Sequence, residues 1–79
     1  MFREKRQRVL VTFPTTTQAM KMEEAARLGG LEGRLIPVPV QISAGCGMAW
    51  ISPVEKREEV LACIRRAKVE TEEIYEMRL

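Results

Sequence analysis

The chain contains no histidine. That absence excludes Ser-His and Cys-His catalytic pairs, and any histidine-bound metal, within one chain. Cysteine is almost as scarce: Cys46 and Cys63 make two, too few for a disulfide framework. The aromatics are two Phe, one Tyr and one Trp. They offer no stacking platform for single-stranded nucleic acid, so no nucleic-acid partner is expected. No apolar run approaches the roughly 20 residues of a membrane helix, and no membrane partner is expected either. The charged N-terminus lacks the apolar segment and small residues of a secretory leader. A reducing cytoplasm, with both thiols free, is the expected location.

What is present suits one modest hydrophobic core. At 79 residues the chain is near the lower end of what folds without disulfides or metal. The net charge of +2 comes mostly from Arg3, Lys5, Arg6 and Arg8. Residues 1–7 read as a basic, solubilising lead-in, and residues 8–79 as a single domain.

Taken in order, residues 8–13 alternate, with Val9, Val11 and Phe13 on one face, and predict a strand. Thr15 and Gln18 form a capping-box pattern that predicts a helix start. Ala19, Met22 and Ala26 recur at helical spacing, and Met20, Ala25 and Leu28 widen the stripe. The methionines at 20, 22 and 48 read as core fillers. Gly29 and Gly30 predict the helix stop. Residues 33–38 read as a second strand whose Pro37 requires an edge position, and residues 48–51 as a third. Ser52, Pro53 and Glu55 form a second helix-start signature. The following helix has an apolar face at Val60, Leu61, Ile64 and Ala67, with Cys63 on or beside it as a small buried hydrophobe. Residues 73–79 alternate as a fourth strand that groups Tyr75, Met77 and Leu79. The order β-α-β-β-α-β predicts a ferredoxin-like α+β sandwich, an antiparallel sheet with both helices on one face.

Packing accounts least well for residues 37–50, where two prolines, two glycines and Cys46 lie between two strands. Between Gly45 and Gly47, Cys46 has no neighbouring side chains to cover it, so its sulfur is expected to face solvent or a ligand. The topology is expected to place this turn where both helices finish, so that helix N-termini would not stabilise a thiolate. Backbone N–H groups around Ala44, Gly45, Cys46 and Gly47 would then form an anion-binding nest, helped by the Ser43 hydroxyl. Arg34, Arg65, Arg66 and Lys68 come from segments that finish or begin near this end and are candidate cationic neighbours. A thiolate so placed accepts sulfur or selenium as a persulfide or selenopersulfide. The plain alternative is a turn in which Gly45 and Gly47 supply positive φ and Cys46 is incidental.

The segment from Leu35 to Pro39, followed by Ile42-Ser43-Ala44-Gly45-Cys46-Gly47-Met48-Ala49, resembles the signature of a small bacterial family of selenium/sulfur carrier-like proteins. Thr12-Phe13, the hydroxyl residues at 15–17, Ala19 and the closing Glu73-Ile74-Tyr75-Glu76 are similar too. The likeness runs from about residue 8 to 77, and the Ser-x-Gly-Cys-Gly core is its most specific part. It implies a ferredoxin-like fold and a carrier role in selenium or sulfur metabolism. The carrier thiol would be Cys46, flanked by Gly45 and Gly47, with Ser43 in the hydroxyl position. No role is implied for Cys63. The chain lacks the Cys-Pro helix start of better-known sulfur-relay proteins.

The leading expectation is a non-enzymatic carrier without cofactor, which exchanges a chalcogen with donor and acceptor proteins. Two alternatives stay open. One is a ligand- or protein-binding module that works without a covalent step. The other is soft-metal delivery, with two copies of Cys46 meeting in a dimer. A homodimer through the open sheet face is expected from the small core.

Overall fold

Val9, Leu10 and Val11 make the first strand apolar on both sides because it lies inside the sheet and is covered on both faces. In a computed structural model, which describes residues 5–42 and 45–79, β1 (Gln7–Thr12) pairs antiparallel with β3 (Met48–Pro53) and with β4 (Glu73–Arg78). The fourth strand, β2 (Arg34–Pro37), pairs with β3, giving the order β2-β3-β1-β4. Two helices, α1 (Thr16–Gly29) and α2 (Arg57–Ala67), complete a ferredoxin-like α+β fold. Pro37 lies on the edge strand, where its missing N–H costs no ladder bond.

Val9, Val11, Phe13 and Trp50 point towards the helices and pack with Ala19, Met22, Ala26, Val60 and Cys63. The other face buries Leu10, Ala49 and Ile51 without any helix. Ile36, Tyr75, Met77 and Leu79 pack against it, joined by Val38 and Ile42 from the β2–β3 connection. That face is therefore partly closed by the chain itself. Backbone pairing continues past β1 to Arg6, whose N–H and carbonyl both bond Leu79. No helix among the described residues is long and apolar enough to cross a membrane.

The ends of α1 follow the sequence. Thr15 caps the start, its side-chain oxygen accepting from Gln18 N–H, and Gly30 closes it at φ 70°. The other half of the capping box is used elsewhere, because the Gln18 side chain accepts from Glu70 N–H at 2.9 Å. Met22 is fully buried, whereas Met20 and Leu28 are exposed rather than core.

The second helix starts later than expected. Strand β3 continues through Ser52 and Pro53, which pair with Val9 and Arg8, and a 3₁₀ turn (Val54–Lys56) precedes α2. Ser52 caps no helix. Its buried hydroxyl donates to the Glu32 carbonyl at 2.7 Å and accepts from Trp50 Nε1–H at 2.8 Å. Pairing and burial outweigh a capping signature whose helical alternative leaves Trp50 N–H without that acceptor. Cys63 takes the centre of the α2 face at 1 % exposure. Lys68 then closes α2 in the left-handed region at φ 57°, with no glycine to announce it.

The Trp50–Ser52–Glu32 chain fixes the approach of Gly33 to β3. At φ 154°, a Cβ on Gly33 would overlap the Ile51 carbonyl and stand 2.6 Å from Ser52 Oγ. Gly33→Ala is therefore expected to cost about 3 kcal/mol or more. Gly30→Ala, with open space around it, should cost about 1 kcal/mol for its left-handed backbone. Urea unfolding of the two variants checks this, and equal losses would contradict it.

Candidate functional site

The strand directions place the β2–β3 connection. Both β1 and β2 run antiparallel to β3, so they run parallel to each other and finish at the same end of the sheet. Helix α1 leaves β1 at that end, and β4 begins there, with Glu73 opposite Thr12. The connection therefore sits where α1 begins and α2 finishes. This corrects the expectation that both helices finish there. The positive end of the α1 dipole lies on this side of the molecule, and a Cβ on Gly45 would stand 3.7 Å from the Pro14 carbonyl, just ahead of the helix cap.

The connection is closed at its base by Val38 N–H donating to the Gly47 carbonyl at 3.0 Å, and folded near its tip by Ile42 N–H donating to Pro39 at 3.0 Å. It straddles the end of the sheet. Val38 and Ile42 pack on the open face, while Cys46 packs against the helix-side core. Val40, at the tip, is fully exposed. Ser43 and Ala44, named with the nest, lie outside the described residues.

Cys46 is half-buried, not bare, and its thiol lies 3.5 Å from the Met48 carbonyl as a hydrogen-bond donor. Its two glycines differ. Gly47 has φ 79° and no described residue within 4 Å of where a Cβ would stand, so glycine serves the backbone there. Gly45 stands against the segment ahead of β4, where a Cβ on it would lie 3.5 Å from Glu72 Oε2. Its N–H donates to Glu72 Oε1 at 3.3 Å, so one amide of the expected nest is occupied by the protein's own carboxylate.

Glu72 is the neighbour that the sequence did not announce. Its N–H donates to the Thr12 carbonyl at 2.7 Å. The next N–H, of Glu73, donates to the buried Thr12 hydroxyl at 3.0 Å. Two bonds to one threonine fix where Glu72 stands. Nothing in the local pattern, an acid just ahead of a strand, separates it from the other surface acids.

The cationic candidates do not gather at Cys46. Arg34 opens β2 at the opposite end of the sheet, beside Ile51. Arg66 runs back along α1, close enough that a Cβ on Gly29 would stand 2.7 Å from its Nη2. Lys68 is near the right end, but the contact it makes there is through its carbonyl, which accepts from Lys21 Nζ at 3.1 Å. The Arg65 carbonyl accepts from Lys68 N–H at the end of α2. No hydrogen bond or ion pair among the described residues joins any of the four side chains to residues 38–47. The charged group that does contact this loop is an acid.

Both cysteines are free thiols, Cys63 buried and Cys46 half-buried. Among the described residues no three His, Cys, Asp or Glu side chains gather as a metal site. Fold and loop define a class: a ferredoxin-like domain presenting one thiol on the hairpin between its second and third strands. The family model described as "Putative Se/S carrier protein-like" matches residues 8–76, and the chain belongs to that family. No curated protein and no solved structure matches the chain.

Glu72 places a negative charge beside the loop from which Cys46 must react as an anion. Glu72→Gln keeps an acceptor for Gly45 N–H and removes the charge. Iodoacetamide should then alkylate Cys46 faster at neutral pH, by about two- to fivefold for the loss of one water-screened charge beside its loop. An unchanged rate would show that the carboxylate does not act on the thiol.

Proposed function

We propose that this protein is a carrier of sulfane sulfur or of the equivalent selenium, with Cys46 as its single acceptor. What carries the reading is the setting of that thiol. It is half-buried against the core and hydrogen-bonded to its own hairpin, beside a glycine that no described residue crowds. Membership of the family whose name describes such carriers supports the same reading.

A carrier needs little chemistry of its own. The Cys46 thiolate attacks the terminal sulfur of a donor persulfide. One S–S bond forms at Cys46, one S–S bond in the donor breaks, and the donor leaves as a thiolate. The sulfane atom changes hosts, no net oxidation occurs, and no acid–base pair is required. The reverse step, with an acceptor thiolate attacking the persulfide on Cys46, unloads the protein. Selenium follows the same balance as a selenopersulfide.

Partial burial suits the loaded state, because a persulfide partly covered by protein is shielded from small thiols that would strip it in solution. The exposed Val40 is the apolar point at which donor and acceptor proteins would touch the hairpin.

Intact-mass analysis of protein isolated without reductant tests the assignment. Wild type is expected to carry one added sulfur or selenium on part of the population. Cys63→Ser should keep that adduct and Cys46→Ser should lose it. An adduct that survives Cys46→Ser would overturn the reading.

A further inference from the structure

The end of the sheet away from Cys46 holds a feature that the carrier reading does not use. Arg8 on β1 lies opposite Pro53, and Arg34 on β2 lies opposite Ile51, so the two arginines flank β3 from either side. Both belong to the face away from the helices, since Leu10 and Ile36, two residues further along each strand, pack there. Two strand spacings and a two-residue offset separate their backbones by about 12 Å, within the joint reach of two extended arginines. Between them is a hollow of about 240 Å³, lined by Arg8, Arg34, Glu32, Ile51, Ser52 and Pro53.

Its walls are held firmly. The Glu32 carbonyl is tied by Ser52 and Trp50, and Gly33 is pressed against β3. The Arg8 Nε atom is shut off from solvent and has no acceptor among the described residues. The ion pairs found there, Arg27–Glu24, Lys56–Glu59 and Arg57–Glu76, involve neither Arg8 nor Arg34. A guanidinium without an ion-pair partner is open to an oxyanion, and its paired Nη groups match two oxygens of one such group.

We propose that Arg8 and Arg34 form a binding site for a small oxyanion, a carboxylate or a phosphate-like group, on the open sheet face remote from Cys46. Arg8 supplies the two-pronged contact through its two Nη groups, its Nε being closed off from the hollow, and Arg34 closes the other side. Glu32, in the same wall, keeps the net charge of the hollow low and disfavours highly charged ligands.

Amide NMR titrations of the full chain with inorganic phosphate and with acetate, at ionic strength held by chloride, test the site. Saturable shifts are expected on Arg8, Gly33, Arg34, Ile51 and Ser52. Saturation by phosphate, by acetate or by both supports the site and names the class of ligand. Arg8→Gln should weaken binding by roughly tenfold or more, and Arg8→Lys should restore it only in part, because an ammonium keeps the charge without the fork. The same spectra report folding, and if Arg8→Gln is unfolded, Arg34→Gln carries the same expectation of weakened binding. No saturable shift with either anion, or shifts unaltered in the folded arginine variant, would overturn the proposal.

Discussion

The double pairing of β1 is the constraint on which the molecule depends. With β3 on one side and β4 on the other, this strand sets the register of the sheet. Its last residue, Thr12, binds the start of β4 through both carbonyl and hydroxyl. That clamp brings the end of the α2–β4 connection to the end of the sheet where β2 turns into β3. The Cys46 hairpin, the cap of α1 and the Glu72 carboxylate meet there because β1 is central. A slip of one residue at Thr12 would exchange the two faces of the strand and separate all three.

The hairpin is held from both sides of the sheet. Val38 and Ile42 reach over the open face, while Cys46 turns back to the helix-side core. A loop anchored in this way keeps its thiol in one place without burying it completely. Gly47 contributes the left-handed backbone that permits the turn, and no described residue stands within 4 Å of the place a side chain would take there. The electrostatics are mixed: the positive end of α1 and the carboxylate of Glu72 lie on the same side.

Much of the fold was legible because alternation and turn chemistry are local signals. The Thr15 cap, the Gly30 stop, the edge position of Pro37 and the grouping of Tyr75, Met77 and Leu79 were each written in a few adjacent residues. Cys63 was readable as a buried hydrophobe for the same reason. The signals failed where distant segments decide. Ser52 and Pro53 look like a helix start, yet pairing with β1 and the Trp50 hydrogen bond hold them in a strand. Gln18 was claimed by Glu70, and Met20 and Leu28 fell on the wet side of α1. At the site, Cys46 and its glycines stood out from the sequence. Glu72 did not, because its position depends on a threonine sixty residues earlier in the chain. The helix directions around the hairpin required the strand order to be followed through in space, and of the arginines named near it Arg34 opens β2 at the opposite end of the sheet.

The central claim is that one thiol, on this hairpin, receives and yields the chalcogen. Native protein can be incubated with a persulfide donor carrying isotopically labelled sulfane sulfur, digested without reduction and mapped peptide by peptide. The account predicts label on the peptide containing Cys46, released when an acceptor thiol is added, with none on the peptide containing Cys63. Label on Cys63 instead, or equally on both in folded protein, would contradict it.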